Sequence, residues 1–203
     1  VNIGDTLSKI VPLINLYKID FCDVNISDDE MKYLNKFNLR YLSLQNCNIS
    51  NRGLANIKNL KLYYLDITNC NVTDKGLYHL RNMKLTYLTL TGNKIKGPGL
   101  CHLKNMPLVS LDLCGTEING MYLYLISNLE LQELYLEDCK NINNGCILFL
   151  ENMPLKMLDL PEHISIDKSH KFYKILASNC NSLQLNGNSF YYFVTRLELI
   201  ALV

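Results

Sequence analysis

No run in this 203-residue chain approaches the roughly 20 consecutive apolar residues that a membrane-spanning helix needs. Nor is there a surplus of charge. Twenty Lys and Arg stand against 19 Asp and Glu, and this argues against a dedicated nucleic-acid binder, which gathers a basic excess on one face. The chain has no CxxC pair, so a cysteine zinc site is not expected. Glycine-rich phosphate loops, HExxH and GxSxG are absent too, which removes the commonest short signatures of nucleotide, metalloprotease and serine-hydrolase chemistry. No signal-peptide pattern is visible at Val1.

What the chain has instead is itself, repeated. Residues 39–61 read LRYLSLQNCNISNRGLANIKNLK, residues 62–84 read LYYLDITNCNVTDKGLYHLRNMK, and residues 85–107 read LTYLTLTGNKIKGPGLCHLKNMP. The shared positions spell LxxLxLxxCxIxxxGLxxLxxMx, a unit of 23 residues. Self-similarity at a fixed period of 20–50 residues marks a repeat array, in which each unit packs mainly on its neighbours. Further units begin at Leu16, Leu108, Leu131 and Leu155; the one at Leu131 is a residue longer, with Asn141 or a neighbour inserted before Ile142.

Within a unit the hydrophobic period changes once. LxxLxL alternates as a strand with one buried face does, and GLxxLxxM places apolar residues three apart, as a helix with one buried stripe does. Ser27 and Glu30 form a capping-box pattern ahead of Met31 and Leu34, and Thr73-Asp74, Pro98 and Asn143-Asn144 mark later helix starts. Residues 1–15 read as a partial repeat or cap helix, 16–166 as the repeat array, and 167–203 as a capping helix over 167–178, a last strand at 182–185 and the apolar tail SFYYFVTRLELIALV. That tail is too short and too charged to span a bilayer, and covering the exposed end of the array is the role expected of it. Of the eight cysteines, Cys47, Cys70 and Cys139 recur at one repeat position beside Ile or Val, so reduced thiols in an intracellular compartment are expected.

LxxLxLxxCxI, as in residues 62–72, resembles the leucine-rich repeat signature, and its continuation TDKGLYHL at 73–80 resembles the cysteine-containing subtype found in F-box substrate receptors and in effectors of intracellular bacteria. The resemblance covers residues 16 to about 166 and implies an α/β solenoid of about seven repeats of 23–24 residues, with a parallel sheet on the concave face and helices on the convex face. It also implies a non-enzymatic module that binds other proteins, a secreted microbial effector among the possibilities. The alternative it implies is a substrate-recognition subunit of a ubiquitin-ligase assembly, although no F-box sequence is present. The units are shorter than is usual for the cysteine subtype, and the cysteine position holds Val24, Asn93, Thr116 and His163 in other repeats.

On the strands, residues alternating with the Leu positions are expected to face solvent. One column reads Lys18, Tyr41, Tyr64, Tyr87, Ser110, Glu133, Met157. The next reads Asp20, Ser43, Asp66, Thr89, Asp112, Tyr135, Asp159. A third reads Cys22, Gln45, Thr68, Thr91, Cys114, Glu137, Pro161, and Asp23, Asn46, Asn69, Gly92, Gly115, Asp138 and Glu162 follow. Tyr41, Tyr64 and Tyr87 should stand side by side, either as contact area for a partner or as a cross-strand ladder that stabilises the sheet. The same face collects nine carboxylates against Lys18, a negative field suited to steering a basic protein or peptide. Tyr41, Tyr64, Tyr87, Asp66, Asp112, Glu133, Tyr135, Glu137 and Asp159 are therefore the candidate binding residues.

No catalytic centre, metal or cofactor is expected. Paired carboxylates on an open sheet should keep ordinary pKa values, whereas an acid–base pair needs two environments pushed apart. His79 and His102 fall at equivalent helix positions, too far apart to share a zinc ion, and His163 and His170 lack a recognisable partner set. The expected behaviour is that of a monomer with a protein partner, no nucleic acid and no membrane span, working in the cytoplasm or in the cytosol of a host.

Overall fold

A computed structural model describes residues 16–167 and 169–172. Seven short strands form one all-parallel sheet in strict chain order: β1 (Lys18–Cys22), β2 (Tyr41–Gln45), β3 (Tyr64–Asp66), β4 (Tyr87–Thr89), β5 (Ser110–Asp112), β6 (Glu133–Tyr135) and β7 (Met157–Asp159). The register follows the repeat, so Leu42, Leu65, Leu88, Leu111, Leu134 and Leu158 are aligned across the sheet, and all are fully buried. The chain is an α/β solenoid, with each of β1 to β6 followed by a helical segment that returns along its back.

The helical segments are short and mostly 3₁₀. Glu30–Lys36, Pro98–Leu103, Gly120–Ile126 and Asn144–Leu150 are 3₁₀ throughout, and only Asn51–Ile57 and Asp74–Leu77 are α. The apolar spacing suits this, although Leu54, Ile57 and Leu60 share it where Asn51–Ile57 is α. Leu77, Leu80 and Met83 recur every three residues, as do Leu100, Leu103 and Met106, and a helix of 3.0 residues per turn keeps such a row on one line. Each segment ends on an i→i−3 bond, such as Met83 N–H to Leu80 O at 2.8 Å and Met106 N–H to Leu103 O at 2.9 Å.

Between strand and helix the chain must turn sharply, and one residue in each of the first six repeats takes a left-handed conformation: Asp23, Asn46, Asn69, Gly92, Gly115 and Asp138, with φ between 52° and 68°. Asn, Asp and Gly tolerate that region at least cost. The extra residue of the sixth repeat sits just beyond this turn. Cys139 and Ile142 are three apart where Cys47 and Ile49 are two, yet Leu134 still pairs with Leu158.

Side chains staple consecutive repeats on the edge where strands end. Asp28 takes the Ser50 N–H at 2.9 Å, Asn51 takes the Thr73 N–H at 2.9 Å, and Asp74 takes those of Lys96, Gly97 and Gly99 at 2.8–2.9 Å. The helix does start at Asp74 behind Thr73, as expected, but the Asp74 carboxylate bonds to the next repeat, and a Cβ at Gly99 would stand 2.6 Å from the Asp74 carbonyl oxygen. The capping box at Ser27 and Glu30 forms as expected: Ser27 N–H donates to Glu30 at 2.8 Å and Glu30 N–H to Ser27 Oγ at 3.3 Å.

No helix of the described residues is long and apolar enough to cross a membrane. The expected cap over 1–15, the strand at 182–185 and the tail at 189–203 lie outside the described residues. So does most of the helix expected over 167–178, whose described part forms turns around a buried Phe172.

Candidate functional site

The inner face of the sheet presents the three columns in the register the repeat implies. Tyr41 stands beside Tyr64, Tyr64 beside Tyr87, and Asp66, Thr89, Asp112, Tyr135 and Asp159 follow one another on β3 to β7. Their exposure, however, departs from expectation. Ser43, Asp66, Thr89 and Ser110 are between 1% and 3% exposed, Asp112 is 9% and Tyr64 is 4%. Strands stand about 4.8 Å apart, so a small side chain in the middle column is roofed by the tyrosines and longer polar residues on either side.

Asp66 is a structural group. One carboxylate oxygen accepts from Thr68 N–H at 2.8 Å and Thr68 Oγ1 at 2.7 Å, and the other accepts from Gln45 Nε2 at 2.7 Å. Burial pushes its pKa up while those hydrogen bonds hold it down. Asp112 likewise accepts from Cys114 N–H at 2.9 Å. Both are candidate binding residues, and in the fold both carboxylates accept from the turn after their own strand, Asp66 also from Gln45 on β2. Ser43, Thr89, Thr91 and Ser110 lie alongside them, and their buried hydroxyls find no partner among the described residues.

The tyrosines form the ladder that was one of the two expectations for them. Tyr41 and Tyr64 stack with ring centroids 4.1 Å apart and planes within 5°, the Lys18 ammonium lies 4.5 Å from the Tyr41 ring, and Tyr87 meets Tyr64 at 6.5 Å. Tyr63 closes edge-on against Tyr87 at 5.9 Å. Tyr64 is sealed inside this row; Tyr41 and Tyr87 remain half-exposed.

Accessible negative charge is concentrated at the other end. Glu133, Tyr135 and Asp159 are half-buried and Glu137 is exposed. Burial, reinforced by Glu137 and Asp112, raises the Asp159 carboxyl to about 6. Burial, then Glu133, Asp112 and Asp159, pushes the Tyr135 phenol far above its ordinary value. The expectation that an open sheet leaves carboxyl pKa values unperturbed fails here because the face is neither flat nor fully wet. Asp23 and Asp138, counted among the nine carboxylates, answer to the left-handed turn instead.

Elsewhere, Tyr78 lies between the two helix histidines, its ring edge-on to His79 at 5.5 Å and to His102 at 5.4 Å, with the Arg81 guanidinium 3.6 Å from its centroid. His163 Nε2 meets the Ile142 carbonyl at 2.8 Å and His170 approaches Glu151 at 3.4 Å. The seven cysteines among the described residues are free thiols, and Cys70 and Cys139 donate to the Leu44 and Leu113 carbonyls at 3.2 and 3.0 Å. The stapling residues Asp28, Asn51 and Asp74 escaped the column analysis, although their 23-residue spacing was the signal that could have found them.

A family model described as Leucine Rich repeat matches three consecutive stretches, residues 35–57, 58–80 and 81–100. No curated protein matches the chain.

Proposed function

Because the chain is a leucine-rich repeat protein, we propose that it is a protein-binding module whose concave sheet takes Lys or Arg side chains of a partner at its β6–β7 end. The observation that carries this reading is the Asp159 carboxyl, raised to about 6 by burial and by the neighbouring Glu137 and Asp112. Burial is the larger part of that rise, and the negative charge of Glu137 and Asp112 adds to it; an incoming cation offsets the charge part. From β2 to β7 the three inner columns contain no Lys or Arg to do so internally. Glu133 and Glu137 supply the accessible charge, Tyr135 and Asp159 line the floor, and the half-exposed faces of Tyr87 and Tyr41 offer contact area further along. Asp66, Asp112 and Tyr64 support that surface from below.

The test is titration of a labelled arginine-rich peptide against the protein and its Glu133→Gln/Glu137→Gln variant. Affinity should fall about tenfold or more in the variant and decline with added salt. Unchanged affinity in the variant would sink the reading.

A further inference from the structure

The molecule has a second charged surface, on the edge where helices end and strands begin. Residues 31–111 contain twelve Lys and Arg but only Asp66 and Asp74 as acids, and both of those carboxylates are occupied by hydrogen bonds within the fold. Lys36, Lys58, Arg81 and Lys104 close the helical segments of the first four repeats, and Arg40, Lys61 and Lys84 occupy the loops that follow; all are exposed. The segments 36–40, 58–63, 81–86 and 104–109 contain no carboxylate, and among the described residues none of these bases has an ion-pair partner. The opposite edge is mixed in sign and internally paired, Arg52 with Asp29 and Lys96 with Glu117 at 3.9 Å.

Complementing helix dipoles does not account for this edge. The helices over Gly120–Ile126 and Asn144–Leu150 end on Ser127 and Glu151 without a base, and Arg40, Lys61 and Lys84 lie past their helices altogether. Two tyrosines share the edge. Tyr17 is 65% exposed and Tyr63 is 42% exposed, set on one backbone ladder in which Arg40 N–H donates to Tyr17 O at 2.8 Å and Tyr63 N–H to Arg40 O at 2.9 Å.

We propose that this edge docks the protein peripherally on an anionic lipid surface. Bases on a rim of equivalent loops face a common plane, which suits an anionic leaflet, and exposed tyrosines at the same level suit the headgroup region. A single nucleic-acid strand fits less well. Tyr17 and Tyr63 stand two strands apart, roughly 10 Å, with the Arg40 backbone between them, so they form no continuous stacking platform. A rim of loop ends also offers no groove to track a backbone. Docked in this way, the protein keeps its concave face open to one side.

The test is co-sedimentation of the full chain with vesicles of phosphatidylcholine alone and of phosphatidylcholine mixed with phosphatidylserine. The protein should partition onto the mixed vesicles only, and Lys61→Glu/Lys84→Glu should lower that partitioning about tenfold or more while its far-ultraviolet circular dichroism and thermal melting stay those of the wild type. Tyr17→Ser/Tyr63→Ser should weaken it severalfold, and Glu133→Gln/Glu137→Gln should leave it unchanged. Absence from the mixed vesicles, or equal binding by the Lys61→Glu/Lys84→Glu variant, overturns the proposal. So does an oligonucleotide or an acidic peptide that takes the same edge while vesicles do not. The concave reading stands or falls separately, because its variant touches neither Lys61 nor Lys84.

Discussion

Asn93 Nδ2 donates to the carbonyl oxygen of Ile67 at 2.7 Å, the bond that the Cys70 thiol makes to Leu44 one repeat earlier. Its Oδ1 also accepts from the Val72 N–H at 3.0 Å, in a site where the whole residue is 2% exposed. Asn93→Ala leaves a buried carbonyl and a buried N–H without partners, and we expect a loss of about 2–4 kcal/mol in urea unfolding. Asn93→Cys restores a donor and should recover part of that loss. Equal destabilisation by the two substitutions would show that shape rather than hydrogen bonding is at issue.

Asp74 and Asp66 separate the stapling of repeats from the inner face of the sheet in a similar experiment. Asp74→Ala deprives three backbone N–H groups of the next repeat of their acceptor, a loss of about 2–4 kcal/mol. Asp66→Asn retains much of its hydrogen bonding and removes a charge that burial disfavours, so its stability should stay within about 1 kcal/mol of wild type. Arginine-rich peptide affinity should hardly change with Asp66→Asn, in contrast to the Glu133→Gln/Glu137→Gln pair.

The unpartnered hydroxyls give a test with the opposite sign. Ser110 Oγ is buried and has no hydrogen-bond partner among the described residues, so Ser110→Ala removes a desolvated polar group at no cost in packing. We expect it to be neutral or stabilising by up to about 1 kcal/mol, read from the urea midpoint. A clear loss would mean that the hydroxyl is satisfied in solution.

Asp159 makes stability depend on pH in a direction unusual for a carboxylate. Its folded pKa of about 6 lies above the unfolded value of about 4, so the folded chain holds the proton more tightly. The stability this contributes is present in full below pH about 4 and is lost as the pH rises through about 6. Asp159→Asn should flatten that part of the curve, measured as urea midpoints at closely spaced pH values. Basic-peptide affinity should climb over the same interval, as the carboxylate ionises.

Much of this architecture could be read from the letters. The strand register is the repeat register, and the apolar spacing announced a helical segment with one buried stripe in each unit, though not that most of these segments would be 3₁₀. The Asp, Asn and Gly column likewise encodes the left-handed turn. Exposure was not legible, because whether Ser43, Asp66 or Tyr64 meets solvent depends on the size of residues on the two neighbouring strands, 23 positions away in each direction. Alternation within one strand says which way a side chain points, not what lies above it. The polarity of the two edges was visible as a scatter of bases, but only the fold gathers Lys61 and Lys84 onto one rim and leaves Arg52 with Asp29 on the other.

Among the described residues each strand pairs only with the strands before and after it, and each helical segment packs only on those of adjacent repeats. Length is therefore a free variable of this design. Cutting out residues 62–84 would join Lys61 to Leu85, and the new junction would be built from the same kinds of residue as the old one. Two properties would change together: the tyrosine row would shorten, and the acidic end would move one strand nearer to Lys18. Gain or loss of whole units thus rescales the distance between two binding features without redesigning either, a route to a new partner that needs no new fold.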